Sequence, residues 1–555
     1  MNKETIKLNI TGMTCDHCAT GIEKLLAKKE GITEVKVSYP KATCECSFDP
    51  SKTSKEEIIN SINGTKNYRV KSEISENGNR DNNQFDLIII GGGSAAFSAA
   101  IKAESLGLST LMVNGGLDFG GTCVNVGCVP SKNLIRAAET AYHATHSNFA
   151  GIKPIGVDID FAQVIKDKKK LVATLQEKKY MDVVSDFENL TMLKGWATFK
   201  DEKTIEVDGK EYKALKFIIA TGATTNIPNI EGLNEIDYLT NVSLFDLEEK
   251  PESLTIMGAG YIGLEIAMAY NRLGVKVRII EFTDRVLRTQ TPDISEALET
   301  QMRNEGIEIL PNFRAVKFEK EGNDTIIHCK CPDGSFTKIT EKGKVVIATG
   351  TKPNTDKLGL ENIGLSLTKS GHIAVNEKME TNLPHIYAAG DCTNTPAFVY
   401  TAAAEGKAAV EFAFSPPLEG EAERGLDYSS LPWVVFTDPQ VAGAGLDEAQ
   451  AEAQNIPFEV SKLELKDVPR AIAANETRGF IKLIRNTETD KLIGARVVAP
   501  EGGELIQQLS MAIKYGITVK DLADSFYPYL TLGEGIKLAA IKFDKDVSKL
   551  SCCAS

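Results

Sequence analysis

The chain has 555 residues and a formal net charge of −13. This length predicts three or more domains, and the acidic balance excludes the basic face of a nucleic-acid-binding protein. With 42% hydrophobic and 25% charged residues, the composition is that of a globular protein. No run of about 18 apolar residues is present, and MNKETIKLNI lacks a signal core. We therefore predict a cytoplasmic protein without a membrane span.

Residues 1–72 predict a small separate domain. IKLNI alternates as a strand does, ITEVKVSY, ATCECSF and YRVKSEI predict three more strands, and residues 17–29 and 56–62 have helical apolar spacing. The order βαββαβ is that of a ferredoxin-like sandwich. Residues 73–84, EISENGNRDNNQ, are polar and rich in asparagine, which predicts a flexible linker.

A second pattern begins at residue 85 and recurs further along the chain. Residues 85–114 and 254–281 each predict a strand, a glycine turn, a helix and a second strand. Such a turn lets a pyrophosphate approach the positive end of the helix. The turn positions are Gly91, Gly93 and Ala96 in the first unit, and Gly258, Gly260 and Gly263 in the second. The two units predict two dinucleotide sites, with a purely structural turn as the alternative.

The second strands of the two units end differently. The first ends in Asn114, which can bond a ribose hydroxyl but carries no charge. The second ends in Glu281, whose carboxylate would take the ribose hydroxyls of NADH and repel a 2′-phosphate. Arg285 and Arg288 lie close by and could accommodate that phosphate instead. The pattern favours NADH and leaves NADPH open.

Six of the eleven cysteines form three close pairs at or near turns or a chain end. In a reducing compartment such pairs more often bind metal or do redox chemistry than staple a fold. Cys123 and Cys128 lie in GGTCVNVGCVPSK, residues 120–132. A helix starting near Cys123 would bring both sulfurs within disulfide reach and favour thiolates at its positive end. We interpret the pair as redox-active, with a structural disulfide as the alternative.

The segment GGTCVNVGCVPSK resembles the active-site signature of the flavoprotein disulfide reductases. The resemblance runs from residue 85 to 555 and includes FIIATGA, VVIATGT and HIYAAGDCTN. It implies an α/β fold with two Rossmann-like nucleotide-binding domains, an α+β dimerisation domain, and a homodimer. It places FAD at residues 85–240 and 371–430, NADH or NADPH at 241–370, and the dimerisation domain at 431–555.

The resemblance also implies roles for individual residues. Cys128 would face the flavin, Cys123 would exchange thiols, and Lys132 would pair with Glu265. Tyr261 would gate the nicotinamide side, and Asp391, with Val399 close behind, would bind the ribityl chain. Further positions expected to bind the cofactor are Gly116, Gly121, Thr122, Ala220 and Gly222.

The C-terminal region departs from the members that reduce disulfides. Those carry a catalytic histidine where YPYLTLGEG, residues 527–535, has Tyr529, while the partner acid remains as Glu534. A phenol with a pKa near 10 is a poor base at neutral pH. The tail ends in vicinal Cys552 and Cys553, suited to a soft thiophilic cation. Together with Tyr180, these features resemble the mercuric reductases.

The N-terminal domain supplies the third cysteine pair. Cys15 and Cys18 in GMTCDHC resemble the site of heavy-metal-associated domains; a redox C-x-x-C motif is the alternative. Cys44 and Cys46 are expected to pack in a core, with a metal site as the second interpretation. Cys329 and Cys331 receive no role.

These features together predict a mercuric reductase. Hg(II), carried by small thiols, would pass from Cys15 and Cys18 through Cys552 and Cys553 to Cys123 and Cys128, where Tyr180 and Tyr529 steady it. A membrane transporter is a candidate donor of the metal. The alternatives are a disulfide reductase resembling dihydrolipoamide dehydrogenase and a non-enzymatic metal-binding protein.

Overall fold

The computed structural model describes residues 3–13, 16–39, 42–65, 68–74, 83–154, 156–414 and 425–549. Helices and sheets alternate throughout this part of the chain, and the predicted α/β class, with its N-terminal ferredoxin-like domain, is confirmed. Among these residues, no helix has both the length and the apolar content that a membrane crossing needs.

The N-terminal domain has the six predicted elements. They are Glu4–Thr11 (β1), Asp16–Leu26 (α1), Ile32–Ser38 (β2), Thr43–Phe48 (β3), Lys55–Asn63 (α2) and Arg69–Ile74 (β4). The strands form one antiparallel sheet in the order β2-β3-β1-β4. Cys44 and Cys46 are fully buried on β3, and burial raises the pKa of Cys44 to about 12. Core packing, the first interpretation of this pair, is confirmed.

The next region is built on a sheet whose central strands are parallel. Its elements are Gln84–Ile90 (β5), Ser94–Ser105 (α3), Thr110–Asn114 (β6), Gly121–Val126 (α4), Cys128–Thr145 (α5), Phe161–Gln176 (α6), Asp182–Val184 (α7), Leu190–Lys194 (β7), Ala197–Asp201 (β8), Thr204–Val207 (β9), Lys210–Ile219 (β10), Ala223–Thr225 (β11) and Asn241–Leu244 (α8). The strand order is β7-β6-β5-β10-β9-β8. Because β5 lies between β6 and β10, the loop after it opens at the middle of the sheet edge.

The second nucleotide-binding region repeats this plan on a smaller sheet. Its elements are Ser253–Met257 (β12), Tyr261–Arg272 (α9), Lys276–Ile280 (β13), Pro292–Asn304 (α10), Glu308–Leu310 (β14), Arg314–Glu321 (β15), Asp324–Lys330 (β16), Phe336–Glu341 (β17), Lys344–Ile347 (β18) and Thr351–Pro353 (β19). The parallel order is β14-β13-β12-β18. Here too the glycine turn follows the central strand.

The chain then returns to the first sheet before it forms the C-terminal domain. The elements are Ile386–Ala388 (β20), Val399–Phe414 (α11), Trp433–Val435 (β21), Gln440–Gly445 (β22), Glu448–Ala453 (α12), Phe458–Glu464 (β23), Pro469–Ala473 (α13), Phe480–Asn486 (β24), Leu492–Ala499 (β25), Gly502–Lys514 (α14), Val519–Asp524 (α15) and Glu534–Ile541 (α16). Strand β20 pairs in parallel with β10. The last five strands form an antiparallel sheet in the order β21-β22-β25-β24-β23.

A buried ion cluster joins the second nucleotide-binding region to the C-terminal domain. Arg272 makes two hydrogen bonds of 2.7 Å to the Glu305 carboxylate and one of 2.9 Å to Asp438. Its guanidinium carbon lies 3.9 Å from the ring centroid of Tyr142. Because the Arg272 side chain is almost fully buried, removing it would leave carboxylates with little solvent to stabilise their charge.

We expect Arg272→Met to lower the free energy of unfolding by about 3–5 kcal/mol, since it strips a buried carboxylate of its partner. Lys520→Met is the matched control, because Lys520 pairs with Asp524 on the surface and exposed pairs contribute under about 1 kcal/mol. Denaturant unfolding followed by circular dichroism compares the two. Equal losses would contradict the structural role given to Arg272.

Candidate active site

The turn after β5 forms a tight backbone cradle at the start of α3. Gly91 has a φ of 135°, and a Cβ there would lie 2.1 Å from the carbonyl oxygen of Ala220. Likewise, a Cβ on Gly121 would lie 2.5 Å from the Cα of Gly93. The three loops that carry these residues therefore meet around the N-terminus of a 12-residue helix. Such a backbone surface, free of side chains and at the positive helix end, fits a pyrophosphate.

The remaining predicted flavin-site residues lie on neighbouring segments. Asp391 follows β20, and the adjacent Cys392 thiol donates to Ile219 O at the end of β10. Burial raises the pKa of Asp391, and the nearby Glu405 carboxylate adds to this effect. A carboxyl group in such a setting suits a hydrogen-bonding ligand. Four more positions are Gly116, after β6, Thr122, in α4, Gly222, after β10, and Val399, the first residue of α11.

Cys123 and Cys128 lie on two successive helices rather than on one. The helix α4 ends at Val126, and α5 begins at Cys128. Gly127 between them breaks the helix, and a Cβ there would lie 2.8 Å from Thr122 O. Both cysteines are unbridged thiols. The break differs from the single helix expected from the spacing, and it places Cys128 at the N-terminus of an 18-residue helix.

The pKa values of the two thiols are shifted in opposite directions. A hydrogen bond from the Cys123 thiol lowers the pKa of Cys128 to about 7, against the effect of burial, and the Lys132 ammonium lowers it further. The same hydrogen bond and burial raise the pKa of Cys123. The positive end of α5 also favours the thiolate. Cys128 is therefore the thiolate of the pair and Cys123 its proton donor.

Lys132 and Glu265 form the ion pair that the family resemblance implies. Lys132 lies one turn after Cys128 on α5, and its ammonium donates to Glu265 Oε2 at 2.7 Å. The other Glu265 oxygen accepts from the Phe436 backbone N–H at 3.0 Å, and the Lys132 ammonium lies 4.5 Å from the Phe436 ring centroid. This carboxylate thus connects three regions of the chain beside the dithiol.

Tyr180 lies near the dithiol in a local π-helix, Glu177–Met181. Its hydroxyl is 3.2 Å from Ser94 Oγ, and its ring meets Phe97 edge-on with centroids 5.0 Å apart. Burial raises the pKa of Tyr180, and the charges of the two cysteines raise it further. The phenol is therefore neutral near pH 7. Sequence reasoning missed Ser94, which no motif marks as a partner of this tyrosine.

The second glycine turn has the same close packing as the first. A Cβ on Gly263 would lie 2.2 Å from Gly258 O, and Gly260 caps the start of α9. Glu281 accepts from the Ala259 backbone N–H at 2.6 Å with one oxygen and from Thr283 N at 2.7 Å with the other. The oxygen bound by Thr283 N also accepts from Thr283 Oγ1 at 2.8 Å, so the oxygen bound by Ala259 is the one that keeps a lone pair for a ribose hydroxyl.

The two arginines near this turn are not equally available to a phosphate. Arg285 and Arg288 both pair with Asp284, at 3.0 Å and 2.8 Å. Arg285 Nε is nevertheless buried and has no hydrogen-bond partner in the described parts of the chain. An orphaned donor at this place fits a ligand oxygen, so the geometry admits either pyridine nucleotide.

Other predicted site residues lie in the N-terminal and C-terminal domains or outside the described residues. Tyr529 is 51% exposed in the C-terminal domain, and Glu534 begins α16 and accepts from the Leu530 backbone N–H at 3.2 Å. Cys18 lies in α1, partly buried. Cys15, Cys552 and Cys553 lie outside the described residues.

Comparison with known families decides what this arrangement belongs to. The family described as pyridine nucleotide-disulphide oxidoreductase matches residues 85–406, and its dimerisation domain matches residues 431–540. The chain belongs to this family. The oxidoreductase also matches the heavy-metal-associated domain over residues 7–69. Both family resemblances seen in the sequence are confirmed, and membership implies use of a flavin and a pyridine nucleotide.

Named relatives narrow the comparison. The oxidoreductase is 40% identical to a mercuric reductase of Staphylococcus aureus, and the alignment covers 100% of both chains. It is 41% identical to a mercuric reductase of Streptomyces lividans over 85% of this chain and 98% of that one.

Solved structures have the same fold. HOCl-induced flavoprotein disulfide reductase RclA from Escherichia coli has a TM-score of 0.72 and 27% identity, over 81% of this chain and 98% of its own. LpdA from Mycobacterium tuberculosis has a TM-score of 0.72 and 28% identity, over 83% and 100%.

We expect the alkylation of Cys128 by iodoacetamide to rise with pH and to be half-maximal near pH 7. Cys123→Ala removes the hydrogen-bond donor, so the midpoint should move to higher pH. Rates are measured on the reduced protein by mass spectrometry of the Cys128 peptide. Cys331→Ala, at a partly buried thiol outside the site, is the control. A midpoint that stays near pH 7 in Cys123→Ala would refute the assigned polarity.

Proposed function

We propose that this oxidoreductase is a mercuric reductase, which reduces thiol-bound Hg(II) to Hg(0) with electrons from NADH or NADPH. The observation that carries the proposal is the reduced Cys123–Cys128 pair, in which one sulfur is a thiolate and the other donates to it. Relatives named mercuric reductase that align over the full length support it. The cysteine usage favours a reducing compartment, the cytoplasm.

The dithiol suits a soft metal ion. Hg(II) prefers thiolate sulfur to oxygen or nitrogen donors, and Cys128 offers a thiolate near neutral pH. When the metal binds, Cys123 loses its proton to solvent or to a departing thiolate and becomes the second sulfur ligand. After two electrons reach the metal, Hg(0) leaves, both sulfurs keep their electron pairs, and Cys123 regains a proton.

The cradle formed by Gly91, Gly93 and Gly121 would hold the pyrophosphate of FAD, and Asp391 would hold its ribityl hydroxyls. When bound there, FAD supplies the two-electron carrier between the pyridine nucleotide and the thiol-held metal. Lys132 keeps a positive charge one turn from Cys128, and Glu265 fixes that charge in place through the 2.7 Å ion pair. The Lys132 charge therefore favours the thiolate state needed to receive the metal.

Tyr180 would steady the metal beside the dithiol. Its phenol is neutral because its pKa is raised, so its oxygen keeps a lone pair for a cation or a proton for a thiolate. The contacts with Phe97 and Ser94 orient this oxygen.

Delivery of the metal would proceed by thiol exchange between cysteine pairs. We propose that Cys15 and Cys18 collect Hg(II) and that Cys552 and Cys553 of the partner subunit of a homodimer pass it to the dithiol. The dimerisation domain, residues 431–540, supports the homodimer. Tyr529, in place of a basic histidine, disfavours a disulfide substrate because a phenol is a poor base at neutral pH.

Purified oxidoreductase with FAD and excess small thiol, kept anaerobic, should oxidise one NADH or NADPH for each Hg(II) added. Cys123→Ala should abolish this oxidation, because one sulfur ligand is lost, whereas Cys331→Ala should retain it. Nucleotide absorbance and the mercury vapour released are measured together. Oxidation of nucleotide that does not respond to Hg(II), or activity on lipoamide in its place, would rule out the proposal.

We expect Tyr180→Phe to slow Hg(II) reduction about tenfold, the effect of losing one interaction of roughly 1.4 kcal/mol. The ring contact with Phe97 remains, so the fold should be unchanged. Turnover is compared with Hg(II) and with an artificial quinone acceptor that does not need the dithiol. Equal slowing with both acceptors would contradict a role for the hydroxyl at the metal.

A further inference from the structure

Two contacts from outside its own helix hold Tyr261, the residue expected over the nicotinamide. Its hydroxyl accepts a hydrogen bond from Gln290 Nε2 at 3.2 Å. Its ring lies beside Trp433, with centroids 5.7 Å apart and an angle of 35° between the planes. Burial raises the pKa of Tyr261, so the phenol is neutral near pH 7. Both contacts must change if the ring swings away.

Trp433 has little freedom to follow such a movement. It lies opposite Gly443 in the pairing of β21 with β22, and a Cβ at position 443 would lie 2.4 Å from the indole. The guanidinium of Arg496 lies 5.7 Å from the indole centroid. Arg496 is buried and donates to Ala444 O at 3.0 Å. The indole is therefore held between a glycine and a fixed cation.

Hydrogen bonds hold the backbone of Gln290 and the residue that follows it. Its backbone oxygen accepts from Arg285 at 3.2 Å. The next residue, Thr291, accepts from the buried Lys482 ammonium at 3.0 Å. Gln290 Oε1 is buried and accepts no hydrogen bond from the parts of the chain that the structure describes. Within the described residues, the bond to Tyr261 is therefore the one hydrogen bond shown for the side-chain amide of Gln290.

We propose that Gln290 and Trp433 form a latch that keeps Tyr261 closed over the nicotinamide pocket. Nicotinamide entry then requires the Gln290–Tyr261 hydrogen bond to break. This rests on the proposed function, because it takes residues 254–281 as the pyridine nucleotide site. Gln290 is a positioning residue that acts through Tyr261.

A closed gate lowers the apparent affinity for the nucleotide, since only the open fraction of molecules binds it. Gln290→Met keeps the length of the side chain and removes its hydrogen-bonding groups. The equivalent of one hydrogen bond then no longer opposes opening, and the nucleotide should bind about two- to tenfold more tightly.

The chain provides its own reporter of the gate. It has two tryptophans, and Trp196 is 71% exposed, so Trp196→Phe leaves Trp433 as the single tryptophan. The FAD-loaded protein with this change is titrated with NAD⁺ and with NADP⁺, which bind without turnover. The emission of Trp433 should change as Tyr261 moves away from the indole.

In this background, Gln290→Met should bind the preferred nucleotide more tightly and should show, before any nucleotide is added, emission closer to the bound state. Gln290→Glu should restore the parent emission, because the Tyr261 hydroxyl can donate to the carboxylate. Gln454→Met, at an exposed glutamine, is the matched control and should leave both measurements unchanged.

Unchanged or weaker nucleotide binding by Gln290→Met would overturn the latch. If the weaker binding comes with a lower melting temperature and lost FAD, the role of Gln290 is purely structural. An emission of Trp433 that does not respond to either nucleotide, in protein that still oxidises NAD(P)H with Hg(II), would overturn the latch and leave the proposed function standing. If the emission of Trp433 responds to nucleotide but the protein shows no Hg(II)-dependent oxidation, the proposed function falls and the latch stands.

Discussion

The arrangement of the site depends on the buried carboxylate of Glu265. Its two oxygens accept from Lys132 on α5 and from the backbone N–H of Phe436, so it joins both nucleotide-binding regions and the C-terminal domain. A buried charge is stable only with its partners in place. The Lys132–Glu265 pair therefore holds α5 in place. This helix carries both Cys128 and Lys132, the cation that lowers the pKa of Cys128. The packing of the domains and the ionisation of Cys128 therefore depend on the same ion pair.

Each nucleotide-binding region meets the C-terminal domain through a different kind of contact. On the dithiol side Phe436 donates its backbone N–H to Glu265 and its ring lies against the Lys132 ammonium, and around Arg272 the contact is a buried ion cluster. At the start of α9 it is the packing of Tyr261 against Trp433, with Arg496 beside the indole. The C-terminal domain therefore also holds Tyr261 in place, through Trp433 on β21.

The sequence predicted the features that depend on local chain geometry. The alternating strands of the N-terminal domain and the two glycine turns were recognisable because strand and turn patterns extend over a few neighbouring residues. The Lys132–Glu265 pair came only from resemblance, since 133 residues separate its partners. The roles given to the site residues, and the relay through Cys15, Cys552 and Cys553, stay predictions.

Other features could not be predicted because they depend on contacts distant in the chain. The helix break at Gly127 is a matter of backbone crowding against Thr122, which the spacing of Cys123 and Cys128 does not show. The position of the Trp433 indole depends on Gly443 in the neighbouring strand. Likewise, nothing in QEKKYMDVV distinguishes a π turn from an ordinary amphipathic helix.

The π turn that carries Tyr180 has a consequence for how such a site can evolve. A π turn is an α-helix with one residue inserted, and each residue of a helix rotates the chain by about 100°. Deleting Lys178 or Lys179 would restore a regular helix and swing the phenol to another face, while the sheet and the dithiol kept their places. One codon gained or lost in this segment could therefore move the phenol relative to the dithiol without altering the fold.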